Sequence, residues 1–367
     1  MHIRPFQAIC PNLSLIASPD SFFATVKNEY VSYRESNFFY KTGQESVYVY
    51  QIQRDTRNYT GLIACADIRD YIKGYIKKHE KTIAAKEQQQ IQLMIQREAI
   101  VKPVLLTYRQ VPEITQLLQQ CTEQQAPFFE VYFEEEASNH CFWEISDGSI
   151  IEQLQNFFKA VGHTYIADGH HRSSTTALLF DRHEGNGPNR YDRLLCAFFP
   201  TTELQIHEYN RVVEGLTDCT LTLFMARISQ LFEIEVLDGP ERPRQKHEIS
   251  IFINKEWYRL RWKPEILEAY KHLPVILDAD LLNEKVLKEI LNIQDVRTDQ
   301  RIKYVEGQKG LDELRIKTIK NEHRIGFCLY PVSIDDLMKI ADANFVLPPK
   351  STWFEPRLKN GLIVQEL

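Results

Sequence analysis

Thr164-Tyr165-Ile166-Ala167-Asp168-Gly169-His170-His171-Arg172, running on through Ser173-Ser174-Thr175-Thr176 into Ala177-Leu178-Leu179-Phe180, is the stretch whose reading decides this fold. An apolar, strand-like run stops at an acid and a glycine. Two imidazoles, a guanidinium and four hydroxyls then open an apolar helix. Glycine permits a tight strand-to-helix turn. The first turn of a helix carries unpaired N–H groups and the positive end of the dipole, so it attracts anions. Arg172 adds a planar fork suited to phosphate, and Asp168 stands where it can hold a divalent cation. The stretch therefore reads as a phosphate site on a strand–turn–helix.

Upstream, Ile150, Ile151, Leu154, Phe157, Phe158 and Val161 have helical spacing and lead straight into it. Residues 128–133 and 141–145 read as paired strands, 114–121 as an amphipathic helix, and Pro103-Val104-Leu105-Leu106-Thr107-Tyr108 as a short buried strand. Residues 67–96 are helical and polar, interrupted around Gly74 and His79, and follow two strands near 46–53 and 61–65. Downstream come a Gly/Pro/Asn loop at 182–190 and a buried strand at 194–199. Residues 249–253 and 257–262 flank a hairpin turn, and Val286, Leu287, Ile290 and Leu291 face one way on a helix. Strands and helices mix without a strict βαβ alternation, which makes this an α+β chain with mixed sheets.

At 367 residues the chain is too long for one small core. Four segments are expected: 1–66, rich in strands; 67–214, a core with an insertion at about 108–160; 215–305, an additional α+β lobe; and 306–367, returning to the active-site side. Hydrophobic residues are 43% and charged residues 26%, an ordinary globular balance. A formal net charge of −6 argues against a general nucleic-acid binder. The seven cysteines are scattered, with no C-x-x-C, so neither a disulfide framework nor a zinc knuckle is expected. The N-terminal residues lack an apolar signal region, and no apolar run approaches membrane-spanning length, so a cytoplasmic protein is expected.

Two further clusters carry chemistry. In His79-Glu80-Lys81-Thr82 a carboxylate stands among cations, where it can accept a hydroxyl proton and Lys81 can meet an anion. Pro348-Pro349-Lys350-Ser351-Thr352-Trp353-Phe354 is a proline-stiffened loop in which Lys350, Ser351 and Thr352 can line an anion or substrate pocket walled by Trp353. The Walker loop, the Rossmann fingerprint, the protein-kinase motifs and H-E-x-x-H are all absent from the sequence.

Ile76-Lys77-Lys78-His79-Glu80-Lys81-Thr82, Ala167-Asp168-Gly169-His170-His171-Arg172 and Pro348-Pro349-Lys350-Ser351-Thr352-Trp353-Phe354 together resemble a bacterial and archaeal family catalogued as domain of unknown function 1015. The likeness runs from Arg4-Pro5-Phe6 to Lys359-Asn360-Gly361-Leu362. More distantly, the order His79-Glu80, helix, Pro103 strand, Asp168 to Arg172 resembles free-serine kinases of the ParB/sulfiredoxin-like superfamily. That resemblance implies a ParB/sulfiredoxin-like nucleotide-binding core and phosphoryl transfer from ATP or ADP, with Mg²⁺, to a free hydroxyl, most concretely L-serine giving O-phosphoserine. It implies Glu80 as general base with His79, Asp168 as metal or phosphate orienter, and Gly169, His170, His171, Arg172, Ser173 and Thr175 as the phosphate cradle. Lys81, Thr82, Lys350, Ser351, Thr352 and Trp353 would line the substrate or anion pocket. The expected partners are a small substrate such as L-serine and a nucleotide, with a homodimer allowed, no membrane, and nucleic acid disfavoured by the acidic charge. Ser18-Pro19-Asp20-Ser21 departs from the Pro-Pro-Tyr-Asp common in the first family, and the stretch between Pro103 and Asp168 is longer than a minimal core needs.

The alternative is a non-catalytic ParB-like nucleotide switch or regulator. A sulfiredoxin-like redox enzyme needs a cysteine in the phosphate loop, and His170 stands in that place.

Overall fold

The structure is a computed structural model that describes every residue except 55, 56, 184, 186, 187 and 218. Part of the loop read at 182–190 thus lies outside the described residues. The fold is α+β with mixed sheets. It divides into one unit of Met1–Gln205 with Pro356–Leu367 and a second of Ile206–Glu355. These divisions differ from boundaries at 66, 214 and 305, because strands far apart in sequence pair with one another.

The first unit runs β1 (Ile3–Arg4), β2 (Ala8–Pro11), α1 (Pro19–Glu35), β3 (Phe39–Lys41), β4 (Val47–Arg54), β5 (Arg57–Asp67), α2 (Ile68–Ile72), β6 (Ile76–Lys77), α3 (Ala84–Arg97), β7 (Ala99–Ile100) and β8 (Val104–Tyr108). It continues through α4 (Pro112–Gln124), β9 (Phe129–Phe133), β10 (Ser138–Ile145), α5 (Gly148–Ala160), β11 (Thr164–Asp168), α6 (His170–Arg182) and β12 (Arg193–Pro200). Its main sheet is nine-stranded, in the order β6-β11-β8-β12-β5-β4-β10-β9, with β1 added on β5. Most pairs are antiparallel, but β6 runs parallel to β11 and β8 parallel to β12. The terminal strand Val364–Glu366 pairs with β2 and β7 in a smaller sheet.

The local sequence explains these elements. Asp147 caps α5, its carboxylate accepting from the Ser149 amide at 2.7 Å. The helical spacing then buries Ile151, Leu154 and Phe158, and Phe158 packs on Tyr108 of β8 and Phe198 of β12. β8 is buried along its whole length, as a short apolar run between two other strands must be. The interruption read near Gly74 is the two-residue strand β6. All seven cysteines are buried and free.

In the second unit, six strands pair antiparallel throughout: Phe232–Leu237, Glu256–Trp262, Glu248–Ile253, Arg324–Leu329, Tyr209–Glu214 and Ile302–Glu306, in that order. The expected hairpin turns at Asn254 and Lys255, both at positive φ, as a two-residue turn matched to strand twist requires. The expected helix near 286–291 is a π-helical run, Leu282–Lys288, that buries Val286 and Leu287. No helix of the described residues is long and apolar enough to cross a membrane.

Candidate active site

Parallel pairing of β6 with β11, Thr164 opposite Ile76, brings the carboxyl ends of both strands to one place. Residues 78–82 leave one end and residues 169–172 leave the other. β8 is antiparallel to β11, so its amino end, with Lys102 and Pro103 before it, arrives at the same edge. The crevice beyond the carboxyl ends of parallel strands is where α/β sheets hold ligands. The register of β11 against β8 shifts between Ile166 and Asp168, a bulge-like irregularity that re-aims the side chain at the strand end.

Gly169 makes the turn at φ 114° and caps α6, with no side chain bonded back to the helix start. A Cβ there would lie 2.8 Å from Arg172 Nη2 and 3.1 Å from Val104, so only glycine fits. Arg172 is held on all sides. Its Nη1 donates to the carbonyls of Lys102 (3.2 Å) and Pro103 (3.0 Å), and its Nη2 to Asp168 Oδ2 (2.9 Å). Lys102 Nζ reaches the same Oδ2 at 3.2 Å. Burial works against the Asp168 charge, yet Arg172, then Lys102 and Arg357, hold its carboxyl well below the usual carboxylate range. Burial first, and the neighbouring cations after it, bring the Lys102 ammonium down to about 8. The result is a half-buried cationic rim beside the open amino end of a 13-residue helix, a ready receptor for an oxyanion.

Glu80 stands across from it. The buried His170 ring accepts the His79 amide N–H at Nε2, 3.4 Å away, and its Nδ1 lies 3.6 Å from Glu80 Oε2. Burial leads the causes that bring His170 down to about 4, so the ring is neutral near pH 7. With Nε2 accepting, the ring proton sits on Nδ1 and faces the Glu80 carboxylate. The Glu80 side chain itself is about half exposed, at 53%. His79 is fully enclosed, edge-on to His170 with centroids 4.5 Å apart, and burial keeps it neutral. It supports His170 and offers its backbone, rather than its ring, to the site.

A second brace comes from α3. Ser174 donates to Glu87, which also bonds Thr82. Those hydrogen bonds, Ser174 first, hold Glu87 below its ordinary value. One carboxylate thus ties the loop carrying Glu80 to α6. His171 is half-buried, and its pKa is lowered chiefly by that burial, while Lys81 is exposed.

Several expected contacts change. Ser173 and Thr175 are fully buried, and Ser173 Oγ bonds back to the Gly169 carbonyl at 3.3 Å; the packed side of α6 takes both, which corrects their assignment to the phosphate cradle. Asp168 spends Oδ2 on two cations, and no group of three or more His, Cys, Asp or Glu that could hold a metal occurs among the described residues. Lys350, Ser351, Thr352 and Trp353 belong to the second unit. There Lys350 Nζ lies 5.0 Å from the Tyr209 ring centroid, Ser351 donates to the Pro348 carbonyl at 2.7 Å, and Trp353 Nε1 donates to Glu355 at 3.0 Å.

Sequence reasoning missed Lys102, Glu87 and Arg357. Lys102 had a signal, a cation set directly before a strand with no exposed face. Arg357 and Glu87 had none, since only tertiary contacts bring them near Asp168 and Thr82.

The sequence matches the family model described as "Protein of unknown function (DUF1015)" over residues 10–281. No curated protein sequence matches significantly. Among solved structures, the chain is similar to a free serine kinase in complex with AMP, at 14% identity and a TM-score of 0.39, covering 82% of this chain and 92% of that one. It is similar to a conserved hypothetical protein from Pyrococcus furiosus at 12% identity, TM-score 0.38, covering 83% and 95%. It is also similar to a C-terminally truncated SbnI from Staphylococcus aureus at 11% identity, TM-score 0.41, covering 81% and 85%. The chain belongs to the DUF1015 family.

Proposed function

We propose that this family member is a small-molecule phosphotransferase, moving a phosphoryl group from ATP or ADP to the hydroxyl of free L-serine. One observation carries the reading: a half-exposed carboxylate, Glu80, is aimed by a neutral, tautomer-fixed histidine at the end of the sheet where Lys102, Arg172 and the amino end of α6 gather positive charge. L-serine as acceptor rests on the motif order His79-Glu80, Pro103 strand, Asp168 to Arg172.

In this reading the α6 amides at 170–172 and the Lys102 ammonium take the oxygens of the transferring phosphate. Arg172, braced by three hydrogen bonds, keeps that rim in place. The acceptor oxygen attacks phosphorus, its proton passes to Glu80, and the nucleotide leaves one phosphate shorter. The His170 Nδ1–H faces the Glu80 carboxylate from 3.6 Å and orients it as the acceptor arrives. Positioning and charge neutralisation supply most of the rate in such reactions. Magnesium chemistry would come with the nucleotide's phosphates rather than from a protein cage.

Wild type given L-serine and either ATP or ADP forms O-phosphoserine, read by mass spectrometry. Glu80→Gln lowers the rate by about 10²–10⁴-fold while nucleotide still binds. A Glu80→Gln enzyme at wild-type rate removes the base. Nucleotide binding with no product from either donor moves the reading to a nucleotide switch.

A further inference from the structure

The cationic rim of the first unit takes its ammonium from a junction between strands. Lys102 lies between β7 and β8, and neither strand includes it or its neighbours Val101 and Pro103. Pro103 has no N–H to give to a ladder. Yet the carbonyls of all three residues are taken. Arg172 Nη1 donates to those of Lys102 and Pro103, and the Gly361 amide donates to that of Val101 at 2.7 Å. Two residues distant in sequence thus fix the backbone from which the Lys102 side chain reaches Asp168. Arg172 belongs to the rim itself, so Gly361 is the fastening that comes from outside it.

Residues 356–367 are held along their length. Leu358, Leu362, Ile363 and Val364 are buried. Gly361 turns at φ 79°, and a Cβ there would lie 2.6 Å from Val26 of α1, so alanine cannot take its place without moving the chain. The strand Val364–Glu366 pairs on one side with β2 and on the other with β7, directly before the junction. Glu366 meets Arg34 of α1 and Lys41 of β3. The Leu367 amide donates at 2.9 Å to the carbonyl of Glu98, where the chain leaves α3. Arg357, on the same segment, acts electrostatically on both Lys102 and Asp168.

Resting on the phosphate reading of that sheet edge, we propose that residues 356–367 are a strap that positions Lys102 for the phosphate, with Gly361 as the positioning residue. The Gly361 N–H sets the Val101 carbonyl, and the paired strand behind it sets β7. Lys102 is then presented to the rim by two anchored neighbours rather than by a free loop.

The test compares wild type with Gly361→Ala in the full chain by two readouts. One is ADP affinity by titration calorimetry. The other is the pH midpoint of Lys102 modification by an acylating reagent, read by mass spectrometry. That midpoint stands near 8 in wild type, set by burial first and by the charges of Asp168, Arg172 and Arg357 after it. A loosened Lys102 gains water and titrates closer to its ordinary 10.5. Gly361→Ala is expected to raise the midpoint and to weaken ADP roughly three- to tenfold. In Lys102→Met the same change is expected to cost less ADP affinity, because the group it positions is gone. A folded Gly361→Ala that leaves both readouts at wild-type values overturns the strap, as does the full affinity loss recurring in Lys102→Met. Should Gly361→Ala fail to fold, Glu366→Gln, which loses the hold on Arg34 and Lys41, is expected to move both readouts the same way by less, and no movement in either overturns the strap. A wild type that binds no ADP, with the midpoint still raised in Gly361→Ala, keeps the strap and fails the phosphate reading. ADP binding by wild type with the Lys102 midpoint unmoved in Gly361→Ala does the reverse.

Discussion

The nine-stranded sheet of the first unit and the six-stranded sheet of the second place their charges differently. In the first, two parallel pairs bring strand ends together from distant parts of the sequence, and polar groups collect at that edge: Glu80, Lys102, Asp168, His170 and Arg172. In the second, every pair is antiparallel, and the buried charges Arg211 and Arg259 stand on strands within the sheet. Antiparallel neighbours are joined by short turns, so their ends present turn residues. Parallel neighbours need a crossover, and their ends present loops that can hold ligands. Motifs 91 residues apart in sequence thus meet in the first unit through one two-residue strand, β6.

The largest expected effect breaks that edge. Gly169→Ala forces an alanine to φ 114° and sets its Cβ against a guanidinium fixed by three bonds. Strain and a disrupted charge-assisted network together cost about 3 kcal/mol, read as a lower denaturant midpoint. Gly43→Ala, whose Cβ meets nothing within 4 Å, is the control and changes little. Equal midpoints for the two would show that the turn does not organise the edge.

A smaller effect separates the units by pH. In the first, burial holds His170 down to about 4 and His140 to about 3, against an ordinary 6.5. The unfolded chain binds those protons first, so stability is lost as pH falls from about 6.5 towards 4. In the second, Asp280 is raised to about 6 from 3.8. The folded state there binds the proton first, so stability is lost as pH rises from about 4 through 6. Hydrogen exchange, corrected for intrinsic rates, should show opposite trends over that window in β8 and in Arg324–Leu329. Parallel trends would contradict the contrast.

Much of the first unit was legible because its signals are local. The β8 run, the α5 spacing and the Asp-Gly turn before α6 each follow from a few neighbouring residues. The meeting of Glu80 with His170 was legible only through the order of motifs, since no local pattern announces that β6 will pair parallel to β11. The burial of Ser173 and Thr175 was not legible. Four consecutive hydroxyls look alike in sequence, and only the packed side of α6 separates them.

Whether the joined strand ends bind phosphate is tested most directly by titration of ADP into wild type and Lys102→Met. Wild type is expected to bind, and Lys102→Met to bind at least about tenfold more weakly at pH 7, one charge-assisted contact being lost. Equal affinity for the two proteins would contradict it.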